Sequence, residues 1–180
     1  MKLLRFALLA AALVVAAVVV TPMVLPAVEA KTGTLIVKVT DAPVPDLRHL
    51  NLTIDQVQVC NVTGHWTPLP ILGGVAYFDL LKLDNVTRDL SINEIPKGNY
   101  TKIRMQIATA NATLADNRSI PLNVPPGHID IQVHFEIKPG KTTSLIIDII
   151  ADKIQIAERG KSGKPANLNP QFKAVTVPPM

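Results

Sequence analysis

Several common signatures of activity are missing from this sequence. It has one cysteine, Cys60, so no disulfide can form within the chain and a disulfide-stapled mini-protein is excluded. Aromatic residues make up 4% of the chain, with a single Trp and two Tyr, which leaves little for stacking nucleobases. Charged residues are only 18%. A disordered chain would be rich in charge and poor in Val, Ile and Leu, so that class is excluded too. Serine occurs four times and never as Gly-x-Ser-x-Gly, so no nucleophile elbow exists. What the chain does have is 48% hydrophobic residues, 15 Pro and a length of 180 residues. That is enough for one domain with a core and too short for two ordinary ones.

The mean hydropathy of +0.28 is concentrated at the N-terminus. Lys2 and Arg5 precede an unbroken apolar run from Phe6 to Val20, and Val28-Glu29-Ala30 supplies small side chains at the two positions a signal peptidase reads. A charged start, an apolar run of roughly 15 residues and a small-x-small exit are the parts of a secretory signal. We therefore expect a signal-peptide helix over 1–30, cleaved after Ala30, and a mature domain over 31–180. The alternative is an uncleaved anchor, which needs about 20 apolar residues. In either case the membrane is touched only by the leader. Removing Lys2, Arg5 and Glu29 lowers the net charge from +4 to +3. The remaining excess is spread out, apart from Arg159, Lys161 and Lys164. A nucleic-acid partner, which wants a basic face with interleaved aromatics, is not expected.

Six Asn-x-Ser/Thr sequences begin at Asn51, Asn61, Asn85, Asn99, Asn111 and Asn117. The chain's content of Asn, Ser and Thr predicts about one by chance. All six are candidate glycan acceptors, and they place the chain on the export side of a membrane.

The mature chain alternates with period two. Thr34–Thr40, Leu50–Cys60, His65–Leu69, Val75–Asp79, Lys102–Thr109, His128–Ile137, Leu145–Ile150 and Phe172–Val177 are expected strands. The phase slips at Asp55-Gln56, as a β-bulge would make it do. Leu80–Leu90 holds room for a short helical turn, and Leu145–Ile150, apolar on both faces, reads as a central, doubly covered strand. Pro43-Val44-Pro45, Gly73-Gly74, Pro96-Lys97-Gly98, Pro125-Pro126-Gly127 and Pro139-Gly140 punctuate the runs. Seven to eight short antiparallel strands without a linker or repeat make a single all-β sandwich. In Pro96-x-Gly98-x-Tyr100 the ring is expected to be buried, with its hydroxyl bonded to backbone across the corner.

The chain also resembles an exported family catalogued as domain of unknown function number 4382, known in archaea and bacteria. The resemblance runs through Gly33-Thr34-Leu35, Val39-Thr40-Asp41-Ala42-Pro43 and Phe78-Asp79-Leu80-Leu81-Lys82-Leu83. It continues in Ile95 to Arg104, in Pro121-Leu122-Asn123-Val124-Pro125, in Thr142 to Leu145 before Asp148, and in Phe172-Lys173-Ala174-Val175. It implies an immunoglobulin-like or transthyretin-like sandwich and no known reaction, so no catalytic residue is carried over, and no cofactor is expected.

Chemistry-bearing residues are sparse. Gly160-Lys161-Ser162 mimics the tail of a phosphate loop, but Gln155 stands where its first Gly is required. Cys60 would need one of His49, His65, His128 or His134 as a base, and it reads more naturally as a small core residue. His128, Asp130, His134 and Glu136 share one strand face, but residues six apart on a strand are about 20 Å apart, so they read as a solvated face. Asp41, Asp79 and Asp148 would form a metal site only if loops gathered them. Trp66 and Tyr77 are the sole candidates for a sugar-stacking platform. The expected function is a non-enzymatic, secreted or cell-surface glycoprotein domain with a structural, adhesion or interaction role. Its expected partners are other cell-envelope proteins, copies of itself or surface polysaccharide. The alternatives are a carbohydrate-binding module built on Trp66 and Tyr77 and, behind it, an extracellular hydrolase. A terminal strand within Lys31–Thr40 could pair with a neighbouring molecule or, as favoured here, within its own sandwich.

Overall fold

The computed structural model describes residues 31–41, 47–83, 86–150, 166–167 and 171–177. The expected leader, cleavage after Ala30, the Asn85 sequon and the Gly160-Lys161-Ser162 loop lie outside them.

The described residues form eleven strands and no α-helix. In chain order these are β1 (Thr32–Asp41), β2 (Leu47–Asn61), β3 (Trp66–Leu69), β4 (Ala76–Asp79), β5 (Arg88–Pro96) and β6 (Gly98–Leu114). Then follow β7 (Ser119–Asn123), β8 (His128–Ile137), β9 (Thr142–Ile150), β10 (Ala166–Asn167) and β11 (Gln171–Val177). The one helical turn, Leu80–Lys82, is of the 3-10 type and falls inside the stretch where the sequence left room for it.

Two sheets result. The larger is organised on the antiparallel ladder between the long strands β2 and β6. β4 and β3 share the other edge of β2, pairing with its first and second halves. β8 and β7 divide the other edge of β6 in the same way, and β10 extends β7. The smaller sheet has the order β5-β1-β9-β11. β1 is paired on both edges, antiparallel to β5 and parallel to β9, so its hydrogen-bonding groups are used within its own sandwich. The expectation of antiparallel pairing throughout is thus corrected at β1–β9 and at β10–β7, which are parallel. Alternation within a strand reports which face is buried and carries no information on the direction of the neighbour. The count rises above eight through β5, whose alternation breaks at Leu90-Ser91, β7, which alternates but is only five residues long with a Pro at its centre, and the two-residue β10.

The inner faces of both sheets supply one core. Leu35, Val37 and Val39 of β1 and Leu145, Ile147 and Ile149 of β9 are fully buried, as are Leu50, Val57 and Val59 of β2 and Ile103 and Met105 of β6. Each such side chain contributes ~1.5–3 kcal/mol relative to an exposed position. The bulge expected at Asp55-Gln56 is present. Both residues are exposed, the β2–β6 register shifts there, and burial resumes at Val57. β9 is interior to its sheet, as expected, but only one of its faces is covered: Ser144, Ile146 and Asp148 on the other are half-buried.

Two local constraints hold one end of the sandwich. The β8–β9 turn lies across the start of β1, where Gly140 N–H donates to Thr32 O and Thr34 N–H to Lys141 O, both at 2.9 Å. A Cβ on Gly33 would overlap the carbonyl oxygen of Lys138, so the turn can close only over glycine. Beside it, Tyr100 Oη donates to Pro96 O at 2.9 Å. Its ring is buried and stacks on Phe135 with centroids 5.3 Å apart and planes 12° apart. This is the corner that the Pro96-x-Gly98-x-Tyr100 spacing predicts, and burial pushes the phenol above its usual range.

Candidate functional site

The polar residues that alternate with the core form the outer face of the seven-stranded sheet, and most of the candidate residues lie on or beside it. Asn51 sits between fully inward Leu50 and Leu52. In the β2–β6 register it is directly opposite Asn111, so two of the acceptor asparagines face each other across one ladder. The Thr of the first sequon, Thr53, accepts a hydrogen bond from Thr109 Oγ1 at 2.8 Å. Asn99 lies near the start of β6, exposed and opposite Glu136 of β8.

Asn61 closes β2. Its Oδ1 accepts from Thr63 N at 3.0 Å, Thr63 Oγ1 at 2.7 Å and His65 N at 2.9 Å. All three bonds fall on the amide oxygen, and the nitrogen that a sugar would take is in none of them. Asn117 occupies the β6–β7 turn with φ of 67°, in the left-handed region that Asn tolerates. Its Oδ1 accepts from Arg48 Nη1 at 2.8 Å. All five described sequons therefore lie along the β2–β6 ladder and its hairpins, and none falls on a strand of the four-stranded sheet. The sequence could list the acceptors but could not show this grouping, which depends on register.

The outer face of the four-stranded sheet has a different character. Ile36 pairs with Ile92, and Ile146 with Val175, in register. Ile92, Val175 and Val177 are all more than 40% exposed. Lys38 is paired with Asp89 at 2.5 Å beside them.

Trp66 and Tyr77, named together as a stacking platform, are not brought together. They lie along the same edge of β2, opposite Cys60 and Thr53 respectively, roughly 20 Å apart at ~3.3 Å per residue. Tyr77 is exposed. One side of the Trp66 ring is occupied by Arg104, whose guanidinium carbon is 4.4 Å from the ring centroid. Arg104 is itself held by Asp130 through Nε–Oδ1 and Nη2–Oδ2 bonds of 2.6 and 2.7 Å. This bidentate fork holds the Asp130 carboxyl below its usual range and raises Arg104. The sequence offered Trp66 as a free platform because it could not place Arg104 across the sheet.

The histidines and acids are dispersed. His128 Nε2 approaches Asp130 at 3.8 Å, while His134 and Glu136 lie farther along β8. His49 Nδ1 is 2.7 Å from Asp79 Oδ2, and Asp79 Oδ1 accepts from Leu50 N at 3.3 Å. Lys82 Nζ lies 3.7 Å from the same carboxylate. Asp79 thereby ties the 3-10 turn to β2. Asp79 belongs to the larger sheet, whereas Asp41 and Asp148 are strand residues of the smaller one. Among the described residues no group of three or more His, Cys, Asp or Glu could hold a metal ion. Cys60 is buried, with its thiol directed at Asn61 O at 3.5 Å.

An open cleft of about 430 Å³ interrupts this face at the start of β6. Val62, the Asn99–Thr101 stretch of β6 and the His134–Glu136 stretch of β8 line it.

Neither the curated proteins nor the solved structures contain a match to the chain. Residues 32–168, which span the sandwich from β1 to β10, match a family model described as a domain of unknown function (DUF4382), and the chain belongs to that family.

Proposed function

We propose that this chain is a non-enzymatic, exported glycoprotein domain with a structural or adhesive role at the cell surface. In this reading sugars coat the seven-stranded sheet, and the four-stranded sheet is left bare for protein contact. The observation that carries it is the placement of the five described acceptors on the seven-stranded sheet and its turns, with Asn51, Asn61 and Asn111 in the β2–β6 ladder, Asn99 at the start of β6 and Asn117 in the β6–β7 turn. Modification exchanges one amide hydrogen of each Asn for the anomeric carbon of a sugar. The donor is a lipid-linked sugar phosphate, and its phosphate leaves with the proton. A bulky hydrophilic coat on one sheet would keep an apolar, weakly charged domain in solution. The exposed Ile92, Val175 and Val177 on the other sheet favour contact with protein over sugar. The leader, with Lys2, Arg5, the Phe6–Val20 run and Val28-Glu29-Ala30, supports export.

Intact-mass measurement on protein secreted by its native host tests this reading. The expected species begins at Lys31 and carries sugar mass on several sequons. An unmodified chain beginning at Met1 would overturn it.

A further inference from the structure

The β2–β3 turn folds over the first residues of β6, and Val62 N–H donates to Asn99 O at 3.0 Å. This places Val62, a residue 64% exposed, at the rim of the 430 Å³ cleft. That volume falls within the ~300–1,000 Å³ of small-ligand sites. Buried Tyr100 and Phe135 also line the cleft, and its polar groups come from Thr101 on β6 and from His134 and Glu136 on the exposed parity of β8. Asn99 is itself part of the wall, directly opposite Glu136 in register, and it is the acceptor of Asn99-Tyr100-Thr101.

We propose that this cleft seats the first sugar of a glycan carried on Asn99, with the C–H face of the ring against Val62 and its hydroxyls bonded to Thr101, His134 and Glu136. The proposal rests on the glycoprotein reading above and adds a binding site to it. A sugar ring is amphipathic, and the cleft offers an apolar rim on one side with acceptors and donors on the other. Covalent attachment at the wall removes most of the cost of association, so contacts too weak to hold a free sugar suffice for a tethered one. Asn117 differs in that it sits in the turn beyond the far end of β6, with its amide oxygen taken by Arg48. The glycan on Asn99 then becomes part of the fold at this end of the sheet and braces the β2–β3 turn.

Amide hydrogen exchange over residues 61–65 tests this, using the secreted wild type, Asn99→Gln and Asn117→Gln, with sugar occupancy mapped on each. The wild type made in a host without N-glycosylation is compared with its own Asn99→Gln. Loss of the Asn99 sugar should speed exchange at Val62 about tenfold, the worth of one or two hydrogen bonds. Asn117→Gln should leave it unchanged, and in unglycosylated protein Asn99→Gln should have no effect. Sugar on Asn99 with equal exchange in all secreted forms would overturn the proposal. An unmodified Asn99 beside other modified sequons overturns it and leaves the glycoprotein reading standing, whereas no modified sequon at all overturns both.

Discussion

Asn51 of β2 and Asn111 of β6 stand directly opposite each other in the central antiparallel ladder, each the acceptor of its own Asn-x-Thr sequence. Opposed residues of such a ladder have Cβ atoms ~4.5–5.5 Å apart, less than the width of two branched sugars. Modification at one should therefore hinder modification at the other. A variant retaining only these two sequons, with the other acceptors changed to Gln, is expected to carry mainly one glycan by intact mass. A population dominated by two would contradict the opposition drawn here.

The Tyr100 corner makes a separable energetic prediction. Tyr100→Phe removes the hydrogen bond to Pro96 O while keeping the ring on Phe135. It should cost ~0.5–1.5 kcal/mol. Tyr100→Ala also empties the core beneath the corner and should cost ~3–5 kcal/mol. Urea unfolding of both variants checks the ratio, and equal losses would mean that the hydroxyl carries the whole effect.

Gly33 is required by the β8–β9 turn that crosses it. Gly33→Ala places a methyl group against Lys138 O and should destabilise by ~1–3 kcal/mol, the usual cost of overpacking. A Cβ on Gly64 would meet nothing within 4 Å, and glycine is favoured there by its φ of 87° instead of by a close contact. A Gly33→Ala variant with wild-type unfolding behaviour would show that the turn moves aside freely.

Acid should weaken the outer sheet face through Asp130. Its carboxyl is held below the usual range, first by the Arg104 hydrogen bonds. A depressed folded pKa contributes stability above the unfolded value of about 3.9, and that contribution is lost as pH falls through the folded value. The urea midpoint of the wild type should therefore drop below about pH 4, with Asp116, held down by Arg118, adding to the same limb. Asp130→Asn should flatten part of that drop and lower the midpoint at neutral pH. An unchanged acid limb would remove the Arg104–Asp130 pair from the account.

Where burial is strictly one-sided, the sequence already specifies the element. His128–Ile137 alternates without fault, and β8 has those bounds. Tyr100 was legible because the Pro-x-Gly-x-Tyr spacing is a local geometry. β5 was not, because Leu90 and Ser91 are buried side by side and Ile92 is exposed. A register shift against β1 erases its period. β6 runs on to Leu114 past the predicted end, its inward positions there being Ala110 and Ala112, too small to mark a core face. The candidate residues were legible singly and not in relation. Arg104 over Trp66, Asn51 beside Asn111 and Val62 against Asn99 are all set by register between strands far apart in sequence.

Site-resolved glycopeptide mass spectrometry on the natively secreted protein tests the central claim most directly. The account predicts sugar on Asn61, Asn99 and Asn117, with partial and mutually limiting occupancy at Asn51 and Asn111. Secreted protein with every one of these asparagines unmodified would contradict it.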